Sequence, residues 1–207
     1  SAHCITDESS GDLLFFDYAV NPPYMTYGVL NKRSELVNFT PIDLPGARLP
    51  HSMAFTPNYS ILMDLPMFWD PELLKKDIHK VTFYPELQSR FGILDRLASG
   101  DSIRWFTAEP CYIYHIINSW EEGREVVLDV CRMSTPVPSR EVRKNLSGPY
   151  GAMLAWLKLD ASYHRYRFNL DSGSTKEEKI DDLLTEFPVI NNRFGGLYSR
   201  YSYHVTL

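Results

Sequence analysis

Three of the six histidines, His3, His51 and His115, stand where the chain enters or runs along a strand-like apolar run, 48 and then 64 residues apart. Imidazole is the commonest protein ligand for metals, and its neutral form predominates at pH 7. Three imidazoles from successive sheet elements could therefore collect one ion. The competing reading is three unrelated histidines, each satisfied in the core or in water. His115 is the most informative of them. Alternation along Cys111 to Trp120 puts Cys111, Ile113, His115 and Ile117 on one face, with Tyr112, Tyr114, Ile116 and Asn118 on the other. Both faces are largely apolar, so the strand is expected to be buried on both sides. A ring nitrogen there needs a carbonyl, a carboxylate or a metal, because leaving it unsatisfied costs about 1–3 kcal/mol. His79 and His164 lie in polar surroundings and are expected to be solvated; His204 has no such reading.

Other chemistries find little in the chain. There is no G-x-G-x-x-G, Walker pattern, G-x-S-x-G elbow or H-E-x-x-H. The carboxylate pairs Glu121-Glu122 and Asp181-Asp182 fall at turn or surface positions. A net charge of -5 and a pI near 5.7 give no attraction to phosphate, so no nucleic-acid partner is expected. Cys4, Cys111 and Cys131 are odd in number and lack C-x-x-C spacing, which predicts buried free thiols and a reducing, cytoplasmic setting rather than a disulfide framework or structural zinc. No run approaches the roughly 18 apolar residues of a membrane span. The opening Ser-Ala-His and the ending at Leu207 suggest a piece of a longer protein.

The elements that would position these groups read as strands. Short runs rich in aromatic and β-branched residues alternate with turn clusters: 13–18, 24–30, 35–43, 52–56, 59–65, 90–95 and 103–106. The clearest hairpin joins Cys111–Trp120 to Glu125–Met133 through Glu121-Glu122-Gly123-Arg124. Asp70 with Pro71 predicts a capped helical turn. The 134–150 stretch reads as a loop, 152–160 and 164–170 as a strand pair, and the charged 176–184 stretch as a solvated helical turn. Repeated strand-turn-strand units of similar length are what a propeller gives.

The residues flanking the histidines carry a resemblance. Leu49-Pro50-His51-Ser52-Met53-Ala54-Phe55-Thr56-Pro57-Asn58-Tyr59, continuing to Pro66, resembles the second-histidine motif of the carotenoid cleavage oxygenases, which include the lignostilbene dioxygenases. Arg90-Phe91-Gly92-Ile93-Leu94-Asp95-Arg96 is similar to the strand that follows it, Trp105 to Gly123 to the third-histidine motif around His115, and Glu186-Phe187-Pro188-Val189-Ile190-Asn191 to a further signature. His3 matches the first ligand position, although Cys4 replaces the usual proline, and Ser52 stands where many members carry aspartate.

That resemblance implies an all-β fold, part of a seven-bladed β-propeller with short helical insertions. Residues 1–207 would form a single partial domain, the central blades of a longer carotenoid oxygenase domain. It implies Fe(2+) held by four histidines, three of them His3, His51 and His115. The fourth would lie beyond this chain, and His204 does not match its motif. Glu186 corresponds to a carboxylate that hydrogen-bonds a ligand histidine. The activity implied is cleavage of a carbon–carbon double bond of a carotenoid, apocarotenoid or stilbene-type substrate by O2, giving two carbonyl products. An isomerohydrolase using the same iron and a non-catalytic propeller binding module are the alternatives. The expected partners are an apolar conjugated small molecule and O2, with peripheral membrane contact as a route of substrate access in the full-length protein and the oligomeric state open. Without the fourth ligand, the chain alone is expected to be inactive.

Overall fold

A computed structural model describes residues 3–137 and 160–206. The expected strand over 152–160 and most of the 134–150 loop lie outside them. Three sheets run in chain order, each an antiparallel meander. The first pairs β1 (Ile5–Asp7), β2 (Asp12–Tyr18), β3 (Met25–Leu30) and β4 (Leu36–Ile42) in that order. In the second, β5 (Ala54–Phe55) and β6 (Tyr59–Asp64) pair tightly. A hairpin of β7 (Met67–Trp69) and β8 (Val81–Phe83) intervenes before β9 (Ser89–Asp95) and β10 (Arg104–Ala108) complete the sheet. The third runs β11 (Tyr112–Glu122), β12 (Glu125–Met133), β13 (Ser162–Asn169), β14 (Thr175–Val189) and β15 (Tyr203–Thr206). The fold is all-β, with consecutive four- and five-stranded blades of a propeller.

The predicted punctuation explains the local structure. Asp70 accepts hydrogen bonds from the N–H groups of Glu72 and Leu73 at 3.0 and 3.1 Å, with Pro71 opening the one-turn helix α1 (Pro71–Leu74). Gly123 turns the β11–β12 hairpin at φ +62°, a conformation that favours glycine.

Period-two alternation decides how the sheets stack. On β6, Ile61 and Met63 face the third sheet, whereas Leu62 faces the first; on β9, Phe91 and Ile93 point one way and Leu94 the other. The middle sheet thus contributes to two cores. One holds Phe16, Tyr27 and Leu62; the other holds Phe91, Phe106, Leu128, Tyr166 and Phe168. Each aromatic removes roughly 150–250 Å² from water. This burial fixes the angle between neighbouring blades and hence where their first strands meet.

Four expectations fail. The charged 176–184 stretch is not a helical turn but part of strand β14. Its Glu177 and Glu178 face Tyr166 and Arg165 across the ladder, and Glu177 reaches Arg132 at 2.7 Å, so partners distant in sequence make the strand. Strand β11 is not buried on both faces throughout: residues 114–116 are partly exposed, and register shifts fall between Ile113 and Ile116 and between Ile116 and Asn118. His164 is buried, not solvated, and lies 3.3 Å from Glu177. Cys4 is exposed, whereas Cys111 and Cys131 are buried. Among the described residues no helix is long and apolar enough to cross a membrane.

Candidate metal centre

His3 lies just before β1, His51 just before β5, and His115 within β11. Each of these strands is the first of its sheet and lies at a sheet edge. Three blades packed side by side therefore present their first strands to a common axis. The bulges on either side of Ile116 rotate β11 locally, which re-aims the side chains around His115, as such irregularities commonly do beside functional sites.

The three imidazoles converge. Nε2 of His3 and Nε2 of His51 are 3.1 Å apart, and one donor nitrogen from each of the three residues lies within 4.8 Å of the others. Bonds of about 2.1 Å put neighbouring ligands about 3 Å apart and opposite ones about 4.2 Å apart. The first pair has the spacing of adjacent ligands, whereas the 4.8 Å spread of the three donors is about 0.6 Å wider than even opposite ligands allow.

Burial keeps the His3 and His51 rings neutral. Burial, followed by the repulsion of His3 and His115, pushes the pKa of His51 down to about 4. Burial and then His115 also lower that of His3. A neutral imidazole offers a lone pair, so the burial that penalises protonation leaves a donor set suited to a divalent transition metal.

Glu186 supplies the orienting group. It is fully buried on β14, and its Oε2 accepts a hydrogen bond from Nδ1–H of His115 at 2.6 Å and from the Phe187 N–H at 2.7 Å. Fixing the proton on Nδ1 leaves Nε2 of His115 as the donor. Glu186 Oε1 is buried without a hydrogen-bond partner among the described residues. Three imidazoles and a buried carboxylate behind one of them fit a divalent iron-type ion. His204 stands outside the cluster, with Nε2 2.8 Å from the Ser202 hydroxyl and Nδ1 3.9 Å from the Cys131 thiol. His79 is exposed.

Sequence reasoning passed over several neighbours. The Tyr114 ring stands edge-on to His51 at 5.0 Å, and Phe187 lies 5.2 Å from His115. Phe187 adopts φ +51° although a proline follows it, and residues before proline are usually extended, so nothing local announces that turn. A cavity of about 390 Å³ adjoins His3 and His115, with Met53, Phe55, Ile116 and Ile117 among its walls.

Comparison with known proteins gives a consistent result. The profile of the family described as Retinal pigment epithelial membrane protein matches residues 1–207. The chain is 35% identical over its whole length to a carotenoid 9,10(9',10')-cleavage dioxygenase of Crocus sativus, of which it spans 37%. It is 29% identical, over 98% of its length, to an isoeugenol monooxygenase of Pseudomonas nitroreducens, spanning 42% of that protein. Among solved structures, a Pseudomonas brassicacearum lignostilbene dioxygenase superposes over 99% of this chain and 43% of its own with a TM-score of 0.81 at 22% identity. A cobalt-substituted Synechocystis ACO gives 0.76 at 18% identity, covering 97% of this chain and 42% of that one.

Proposed function

The chain belongs to the Retinal pigment epithelial membrane protein family, the carotenoid cleavage oxygenases, and from that premise we propose that it is the three-histidine segment of a non-haem Fe(2+) dioxygenase. The observation that carries the reading is the convergence of His3, His51 and His115, with Glu186 behind His115. The reaction is cleavage of a carbon–carbon double bond by O2, each carbon of the former alkene leaving as a carbonyl with one oxygen atom. A long conjugated substrate of carotenoid or apocarotenoid type is favoured over a stilbene type, because the chain is 34–35% identical to plant carotenoid 9,10(9',10')-cleavage dioxygenases and 28–29% identical to the isoeugenol monooxygenases.

Bound iron would supply the redox chemistry that lets O2 react with an alkene. The chain's own residues have narrower tasks. His3, His51 and His115 would hold the ion through imidazole nitrogens, and a fourth histidine would complete the set. Glu186 holds the His115 proton at Nδ1 and keeps the ring from turning. The side chains of Met53, Ile116 and Ile117 along the cavity keep water from the centre. Among the described residues no side chain is assigned the role of general acid or base. The free cysteines support a reducing, cytoplasmic setting, and residues 1–207 act as one partial propeller domain.

Metal analysis and oxygen uptake on the full-length protein test this. About one iron per chain and alkene-dependent O2 consumption are expected, with label from ¹⁸O2 in both products. Label in neither product would favour the isomerohydrolase. Absence of bound iron, or unchanged turnover in His115→Ala, would overturn the reading.

A further inference from the structure

We propose that Tyr112 is a positioning residue for His51, its hydroxyl holding the strand-free segment from which that imidazole reaches the centre. The inference rests on the reading of the three histidines as a metal centre. Residues 43–53, between β4 and β5, form neither strand nor helix, so no sheet ladder places His51. A ligand must nevertheless be held to within about 0.5 Å. Side-chain anchors have to do what backbone pairing does elsewhere.

Two anchors flank the approach to His51. Arg48 Nε donates to Asp64 Oδ1 at 2.5 Å, and Arg90 Nε donates to the other oxygen at 2.8 Å. Asp64 is 5% exposed, and the Arg48 guanidinium lies 4.1 Å from the centre of the Phe68 ring, so the outer end of the segment is fixed against the second blade. Nearer the centre, the Tyr112 hydroxyl donates to the Leu49 carbonyl at 2.6 Å, two residues before His51. Tyr112 is 2% exposed, and burial raises its phenol well above the ordinary range, keeping it a donor at any physiological pH.

Tyr112 also opens β11, three residues before His115. One hydroxyl therefore ties the segment carrying one imidazole to the strand carrying another. The rings continue the contact: Tyr112 meets Tyr114 edge-on at 4.9 Å, and Tyr114 meets His51 at 5.0 Å. Removing the hydroxyl leaves the packing of the ring but releases Leu49, and His51 with it, from β11.

The test is titration of the metal-free full-length protein with cobalt(II), read by its visible ligand-field absorption. Tyr112→Phe is expected to fold, to bind cobalt about 10- to 100-fold more weakly, as for other residues that orient a ligand, and to shift the absorption band. Tyr27→Phe is the control for loss of a buried hydroxyl. Tyr27 is fully buried and bonded to Ser60 at 2.6 Å, and its removal should lower stability without changing cobalt affinity. Asp64→Asn frees Arg48 and should weaken cobalt binding in the same direction; it carries the test should Tyr112→Phe not fold. Equal cobalt affinity in the unaltered protein and these two variants overturns the inference while leaving the centre intact. No cobalt binding by the unaltered protein overturns the centre, and the inference with it.

Discussion

Nδ1 of His115 and Oε2 of Glu186 lie 2.6 Å apart across the gap between the first strand of a sheet and the fourth, with the carboxylate fully buried. A carboxylate so placed fixes the imidazole tautomer and strengthens the ring as a donor. Glu186→Ala should weaken iron or cobalt binding by about 10- to 100-fold. Glu186→Gln keeps an acceptor oxygen for Nδ1–H and should lose less. Metal titration of the full-length protein, with circular dichroism to verify the fold, separates the two; equal losses would argue against a hydrogen-bonding role.

His3, His51 and His115 should behave as one unit. Alanine at any of them is expected to abolish stoichiometric iron and O2 uptake together, since each removes one imidazole from the same cluster. His79→Ala should leave both unchanged, because that ring is exposed and outside the histidine cluster. Iron content by elemental analysis is the deciding measurement.

The strand that follows His3 is tied down by a pH-sensitive contact. Burial would raise the Asp7 carboxyl, but hydrogen bonds from the Ser9 hydroxyl and from Arg96, at 2.6 and 2.7 Å, outweigh it and lower the pKa from 3.8 to about 2. A carboxyl depressed on folding stabilises the native state above its unfolded pKa, and that contribution is lost as pH falls through the folded value. Unfolding followed by denaturant should thus show Asp7→Asn less stable than the unaltered protein above about pH 4, the difference shrinking between about pH 4 and pH 2. A pH-independent difference would refute the contact's ionic character.

Gly196 lines the cavity beside the histidines at φ +77°, and a Cβ there would lie 2.8 Å from the Phe55 ring. Gly196→Ala should cost about 1–3 kcal/mol through overpacking and backbone strain. Gly173→Ala, at φ +75° with nothing within 4 Å of its Cβ, should incur the backbone cost alone. Thermal unfolding of the two variants gives the comparison.

Much of the fold could be read from local signals. The turn cluster at 98–101, the apolar runs of β6 and β9, and the Asp70-Pro71 cap each point to elements that form where expected, and the hairpin turn expected over 121–124 narrows to Gly123-Arg124 because Glu121 and Glu122 pair within β11. The β14 strand was not legible, because Lys176 to Leu184 is charged and its partners, Arg165 and Tyr166 among them, come from another strand. Nor were the bulges around Ile116, where strict alternation would have predicted a doubly buried strand. At the site, the motifs around His51 and His115 singled out the imidazoles, and the Glu186 signature singled out the carboxylate. Tyr112, Tyr114 and Phe187 fell within those motifs without a role of their own, and a Tyr112 hydroxyl bonded to a carbonyl 63 residues away leaves no local trace.

The sequence by itself determined the chemical inventory: which residues can hold a metal, that strands dominate, and which family the flanking motifs belong to. These follow from residue type and short-range spacing, which a chain carries whatever its conformation. Tertiary structure alone decided that Nε2 of His3 and Nε2 of His51 stand 3.1 Å apart, that Glu186 meets Nδ1 of His115, and that an unpaired segment is held by Tyr112. Those distances depend on how burial of the aromatics between blades sets the angle of one sheet to the next, and no local pattern encodes that angle.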